Sequence, residues 1–291
     1  MKKFILWFLA FLITIGAAVY QRRTGPTYPK RLSITVNDSI SDLKLVRSLS
    51  LSEKSQVRLK INDTSAKAKL FYKIYKSDAA YQEVPFTYNV YPVKSPVMNK
   101  VFHIYEEKGF YAAIPQQPPA GKIQYYFEIT DSHGTKTYMN DTPVVIRFKG
   151  DVPASILTPH ILLMFIAMLF STLAGLMALV KFPLYKKYAL WTLILFIGGG
   201  FILGPIVQYY AFGDFWTGIP FGWDLTDNKT LIAGLFWILA VVMNRKAERP
   251  LYVILAAIVL LLIFSIPHSL FGSELNQATG KVTTGIIVNF L

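Results

Sequence analysis

The chain has 291 residues, 53% of them hydrophobic, and a formal net charge of +13. It has no cysteine, which excludes disulfides, thiolate metal sites, iron–sulfur clusters and covalently attached c-type haem. His, Met, Tyr and carboxylate side chains remain as candidate ligands. Five long apolar runs predict an integral membrane protein, because about 20 residues of helix cross a hydrocarbon core.

The first apolar run, residues 4–20, follows Lys2 and Lys3 and ends in small residues, as a signal peptide does. We expect it to remain attached as a signal-anchor helix over residues 1–21, with cleavage as the alternative.

Residues 32–150 alternate apolar and polar side chains, as in "AKLFYKIYK", "VFHIYEE", "KIQYYFEIT" and "PVVIRFK". A period of two predicts strands with one buried face. Turn signals separate the strands, among them "PQQPPAG", "DSHG" and "MNDTP". Six to eight short strands in this length predict an antiparallel β-sandwich, and the pattern resembles immunoglobulin and fibronectin type III domains.

Four further spans are predicted at residues 156–180, 188–212, about 225–243 and 251–267, which gives a four-helix transmembrane domain over 156–268. The loop after the first of these holds Lys181, Lys186 and Lys187. The loop after the third holds Arg245, Lys246 and Arg249 against one acid, Glu248. Short loops rich in Lys and Arg stay in the cytoplasm. We therefore expect a cytoplasmic N-terminus, with the β-domain and the C-terminal tail 269–291 on the outer side of a bacterial cytoplasmic membrane.

The basic charge is concentrated in the first half of the chain. Residues 1–150 hold 22 Lys and Arg against 11 acids, and the remaining 141 residues hold 8 against 6. Such a domain could lie against anionic head groups or an acidic partner, or its surface could simply be solvated. The lysines are spread along the strands, so nucleic-acid binding is not expected.

Two of the four histidines are predicted at the same membrane level. His160 follows Thr158 and Pro159, a plausible cap and first position of a helix, and His268 follows Pro267 at the outer end of the last span. His103 is expected in a strand and His133 in a turn of the β-domain, both in structural or solvent-exposed positions. Two neutral imidazoles from separate helices can ligate haem iron axially.

The loop "DFWTGIPFGWDLTDNKTLI", residues 214–232, joins two spans on the side of His160 and His268. With "FG" before it, this loop resembles the tryptophan-rich loop of the haem-handling proteins of cytochrome c biogenesis, whose pattern is W-G-x-x-W-x-W-D. Phe212 stands at the first Trp position of that pattern, Trp216 at the second, and Trp223 with Asp224 at the closing pair. Five extra residues separate Trp216 from Trp223. The resemblance implies a haem b site formed by His160, His268, Trp216 and Trp223.

Two other interpretations of the loop remain open. Trp216, Phe221 and Trp223 could be an interfacial aromatic belt, with Asp224 or Asp227 capping the next helix. Alternatively, Asp224, Asp227 and Glu274 with the histidines could bind a divalent cation.

The sequence contains no catalytic signature of the G-x-S-x-G, phosphate-loop or H-E-x-x-H kind, so no catalytic residue is predicted. Three functions compete: a haem protein of cytochrome assembly or electron transfer, a non-catalytic envelope subunit that binds partner proteins, and a divalent-metal transporter or sensor.

Overall fold

A computed structural model describes residues 1–93, 96–268, 270, 273–277, 279–280 and 282–283. The chain divides into two compact units. One unit comprises Thr27–Lys149, and the other comprises Met1–Pro26 with Gly150–Leu291. The first unit is built from strands and one short helix, and the second mainly from apolar helices.

The helices of the chain are α1 (Lys2–Thr24), α2 (Pro96–Lys100), α3 (Ala154–Leu179), α4 (Tyr185–Phe196), α5 (Gly204–Phe212), α6 (Leu225–Met243) and α7 (Pro250–Ser265). A π-helical segment, Ile197–Leu203, joins α4 to α5, so Tyr185–Phe212 is one continuous helix. Helix α1, helix α3, the continuous helix and α6 are long and apolar enough to cross a membrane. The fifth predicted span is shorter: α7 has 16 residues, about 24 Å at 1.5 Å per residue.

Small residues allow these helices to pack closely. A Cβ added at Gly199 would lie 2.9 Å from Sδ of Met164, and one added at Gly234 would lie 2.6 Å from the ring of Phe201. Contacts this tight are typical of helix interfaces in membranes. At Gly199, in the middle of the triple glycine 198–200, the structure places side chains of α3 against the backbone.

The two ends of the helical unit carry different charge. At one end Trp7 of α1 lies edge-on to Tyr188 of α4 at 5.7 Å, and Lys186 lies 3.6 Å from Glu248. At the other end Gln21 of α1 donates to the carbonyl oxygen of Phe264 at 2.5 Å. The first end therefore collects most of the basic residues of this unit: Lys2, Lys3, Lys181, Lys186, Lys187, Arg245, Lys246 and Arg249.

The described residues of the other unit form eleven strands: β1 (Lys30–Val36), β2 (Ser39–Leu45), β3 (Ser48–Ser50), β4 (Gln56–Leu59), β5 (Lys67–Ile74), β6 (Gln82–Pro85), β7 (Thr87–Pro92), β8 (Glu106–Ala113), β9 (Lys122–Asp131), β10 (Gly134–Tyr138) and β11 (Val144–Lys149). One sheet has the order β3-β11-β9-β5-β6, with β10 paired to β9, and a second has the order β4-β8-β7. Strands β1 and β2 form a separate hairpin. All pairs are antiparallel except β3 with β11. Two short strands, β12 (Glu274–Leu275) and β13 (Val282–Thr283), follow in the C-terminal tail.

The sheets share one apolar core, to which the inward residues of the alternating strands contribute. Leu59 of β4, Leu70 of β5, Phe127 of β9 and Phe148 of β11 are all fully buried in it. Residues of β9 alternate between buried and half-buried along the strand, as the sequence pattern predicted. The number of strands is larger than the predicted six to eight because several have only three to five residues.

The expected strand at "VFHIYEE" is wrong over its first half. Strand β8 begins at Glu106, and His103 lies in a turn with φ of 51°. The apolar residues that mimicked an alternating strand are exposed, Val101 by 64% and Phe102 by 60%. His133 lies in the turn between β9 and β10, as predicted.

We expect residues 27–149, expressed alone, to fold as a soluble strand-rich unit, because their core closes without the helices. Phe127→Ala should lower the free energy of unfolding by about 3–5 kcal/mol, the usual cost of emptying a buried Phe site. Phe71→Ala, which removes a half-buried ring stacked on Tyr126, is the matched control and should cost less. Circular dichroism and chemical denaturation measure both. A helical or molten product would contradict the expectation.

Candidate functional site

Helix α5 ends at Phe212, and the loop to α6 begins at Gly213. Gly213 has a left-handed backbone conformation, with φ of 93°. The loop ends at Asp224, which caps α6. Oδ1 of Asp224 accepts from the backbone amides of Thr226 at 2.8 Å and Asp227 at 3.2 Å. These are two of the amides that the first turn of a helix leaves unpaired. Asp224 therefore has the capping role that was one of the interpretations of its position.

Asp227 fixes the loop onto the helices. Its Oδ2 accepts from the amide of Thr217 at 2.6 Å and from Nε2 of Gln208 at 3.1 Å. The next residue, Asn228, accepts from the amide of Ile219 at 2.8 Å. Asp227 is only 5% exposed, so its hydrogen bonds to Thr217 and Gln208 are largely shielded from water. The polar residues of "DLTDN" thus fold the aromatic loop back over the start of α6.

The two tryptophans have different environments. Trp216 donates from Nε1 to the carbonyl oxygen of Ile219 at 3.1 Å, and its ring stacks on Phe201 with centroids 6.1 Å apart. Trp223 is 58% exposed and Phe221 is 81% exposed. Trp216 therefore anchors the loop to the π-helical segment, while Trp223 and Phe221 face outward, as residues of an interfacial belt do.

His160 contacts the same π-helical segment. Its Nδ1 lies 2.9 Å from the carbonyl oxygen of Gly199. Because a carbonyl oxygen only accepts, Nδ1 carries the proton and Nε2 has a free lone pair. A π-helical segment changes the backbone pairing around it, and such segments are frequent at functional sites. A ring nitrogen held by a backbone carbonyl is also the usual arrangement for a histidine that ligates a metal through its other nitrogen.

The start of α3 differs from the expectation. The helix begins at Ala154 after Pro153, so Thr158 is not its cap and Pro159 lies inside it. The sequence offers prolines at both positions, and either can begin a helix. Because α3 begins directly after Pro153, His160 lies between one and two turns inside the helix.

His268 follows α7, and its ring lies edge-on to Phe264 at 6.4 Å. His268 is exposed over more than a third of its surface; the protein packed around the rest, followed by the charges of Lys229 and His160, lowers the pKa of its ring. Lys229 of α6 is 5% exposed and donates from Nζ to the carbonyl oxygen of Ile266 at 2.9 Å. We call His160, Lys229 and His268 the histidine–lysine cluster. The two predicted histidine ligands therefore lie within electrostatic reach of each other.

The carboxylates of Asp224 and Asp227, which were predicted to bind a metal, have other hydrogen-bond partners, although the charge of Asp224 acts on Lys229. Asp224 and Asp227 hold backbone amides, and Glu274 lies in β12. In the part of the chain that the structure describes, no group of three or more His, Asp and Glu side chains is arranged to hold a metal ion. The apolar end of the tail, residues 285–291, lies outside the described residues.

Lys229, Gln208 and the backbone carbonyl of Gly199 were not predicted as groups of the site. Lys229 and Gln208 were detectable, because a charged or amide side chain within a predicted span is a site candidate by itself. Gly199 acts through its backbone carbonyl, so the sequence carried no signal for that role.

No family model, no curated protein and no solved structure matches this chain. The function is therefore argued from the histidine–lysine cluster and the loop beside it.

We expect Asp227→Ala to release the loop, since it removes the acceptor for Thr217 and Gln208. Asp227→Asn should have a smaller effect, because an amide oxygen still accepts a hydrogen bond. Limited proteolysis of the purified protein and the emission of Trp216 report loop order. Asp214→Ala is the matched control, since Asp214 is an exposed acid of the same loop. Equal cleavage of the Asp227→Ala and Asp214→Ala proteins would show that Asp227 does not hold the loop.

Proposed function

We propose that the chain is a haem-binding membrane protein in which His160 and His268 would hold one haem b through their ring nitrogens. It would act in haem handling during cytochrome assembly or in electron transfer. The observation that carries the proposal is the state of His160: its Nδ1 is fixed by the carbonyl oxygen of Gly199, which leaves Nε2 as the unprotonated nitrogen, and its charge acts on His268.

The residues fit a haem better than a divalent cation. A haem iron needs only two axial ligands from the protein, because the porphyrin supplies four nitrogens. A divalent cation bound by protein side chains needs a larger set of oxygen and nitrogen ligands, and the described residues contain no group of three. A bound haem would supply one-electron redox chemistry. The chain itself would orient His160 through Gly199 and cover one side of the site with Trp216.

The distribution of basic residues supports a membrane orientation for the helices. Eight Lys and Arg lie at the end of the bundle away from the cluster, and short basic loops stay in the cytoplasm. The histidine–lysine cluster and the β-domain, which is inserted between α1 and α3, would then lie on the outer side of a bacterial cytoplasmic membrane. We also propose that the first helix remains as a signal anchor, since Trp7 and Gln21 connect it to the other helices.

A second candidate is a non-catalytic envelope subunit that binds partner proteins. Strand order favours it: β5, β9 and β11 are neighbours in one sheet, and β4, β8 and β7 form the other. Immunoglobulin sandwiches group strands C, F and G against B, E and D in the same way, and many such domains act at cell surfaces. Fold alone does not specify function, so this candidate ranks below the haem site.

We expect His160→Ala and His268→Ala each to remove most of the haem from protein purified out of haem-sufficient cells, because each change removes one ligand. Trp216→Ala and Trp223→Ala should lower haem content less, since neither ring is a ligand. Haem per protein is measured by the pyridine haemochrome assay, and membrane insertion is checked by extraction. His103→Ala and His133→Ala in the β-domain are the matched controls. A wild-type protein that neither contains nor takes up haem would refute the proposal.

We expect a reporter that is active only outside the cytoplasm to be active when fused within residues 214–223 or at the C-terminus. The same reporter fused within residues 182–187 should be inactive, because that loop lies at the basic end. The reversed pattern would place the histidine–lysine cluster on the cytoplasmic side.

A further inference from the structure

We infer that Lys229 binds a carboxylate of the ligand, so that the histidine–lysine cluster selects an anionic ligand. This inference rests on the proposed function. For haem b, the carboxylate is a propionate group.

The first observation is a buried charge that forms no ion pair among the described residues. Lys229 is 5% exposed and lies in the second turn of α6. Burying an ammonium group is costly unless an anion and hydrogen bonds compensate it. Charged residues within membrane helices usually mark functional sites for this reason. Among the described residues, Lys229 takes part in no ion pair.

The charge of Asp224 acts on Lys229, but the carboxylates of Asp224 and Asp227 accept their hydrogen bonds from other groups. Asp224 holds two amides of the α6 cap, and Asp227 holds Thr217 and Gln208. An ammonium group has three N–H donors, and one of them is used by the carbonyl oxygen of Ile266. The other two donors of Lys229 have no hydrogen-bond partner in the part of the chain that the structure describes. An anionic ligand would supply both the missing charge and the missing acceptors.

The second observation is the position of Lys229 relative to the proposed ligands. Its partner Ile266 precedes His268 by two residues, and the hydrogen bond between Lys229 and Ile266 is 2.9 Å long. The ammonium group therefore lies beside the segment that carries His268, where it would meet a carboxylate of a ligand held by that histidine. Charged hydrogen bonds of this kind are stronger than neutral ones and give selectivity for the ionised ligand.

The test compares haem with its dimethyl ester, in which both propionates are uncharged. Full-length protein depleted of haem is titrated with each porphyrin in neutral detergent and followed by the Soret band. Wild type should bind haem about 10- to 100-fold more tightly than the ester, the range expected for one charged hydrogen bond. Lys229→Met should remove that preference, and Lys229→Arg should retain most of it.

Lys229→Met also removes a hydrogen bond to the end of α7, and that loss by itself could alter binding. Gln21→Leu, which removes the hydrogen bonds of Gln21 to the same end, is therefore the matched control. Gln21 caps the same end of α7 through Phe264 and Ile266 but carries no charge. It should leave the preference for haem unchanged. Equal affinity of wild type for haem and ester, or a preference that persists in Lys229→Met, would overturn the role of Lys229 and leave the haem proposal standing. Failure of wild type to bind either porphyrin would refute both. If Lys229→Met does not fold, the wild-type comparison alone decides.

Discussion

The carbonyl groups at the end of α7 impose the constraint on which the rest of the helical unit depends. The last turn of any helix leaves its carbonyl oxygens without partners, and an apolar surrounding makes that costly. Gln21 of α1 donates to Phe264, and Lys229 of α6 donates to Ile266. These two hydrogen bonds tie three helices together just before His268. The position of the second proposed ligand is thus set by how α7 ends.

The aromatic loop stabilises the end of α7 indirectly, through helix α6. Asp224 and Asp227 pair the amides of the helix start and of the loop, so α6 begins in a fixed position and carries Lys229 to the end of α7. Trp216 stacks on Phe201 in the π-helical segment, and Gly199 of the same segment holds His160. One irregular turn of helix therefore contacts both the loop and the first proposed ligand. The rings and carboxylates of "DFWTGIPFGWDLTDNKTLI" hold the loop and α6 in place, with Trp223 and Phe221 left to face outward.

Periodicity predicted most of the architecture because it reflects burial directly. The β9 and β11 patterns became strands, and the long apolar runs became helices. The Asp224 cap was recognisable because side-chain oxygens at helix starts have a local signature. Features set by tertiary contacts were not predictable: the left-handed φ of His103, the π-helical turn, and the choice of Pro153 over Pro159 to begin α3. The different roles of Trp216 and Trp223 were also not predictable, because they depend on which residues each ring contacts.

The central claim is that His160 and His268 act together as ligands of one haem iron. The most direct measurement is the low-temperature electron paramagnetic resonance spectrum of the purified ferric protein, because the spin state of the iron reports its axial ligands. Two imidazole ligands predict a low-spin ferric signal, which His160→Ala or His268→Ala should convert to a high-spin signal or abolish. A high-spin signal in wild type, or a low-spin signal unchanged in both variants, would contradict the claim.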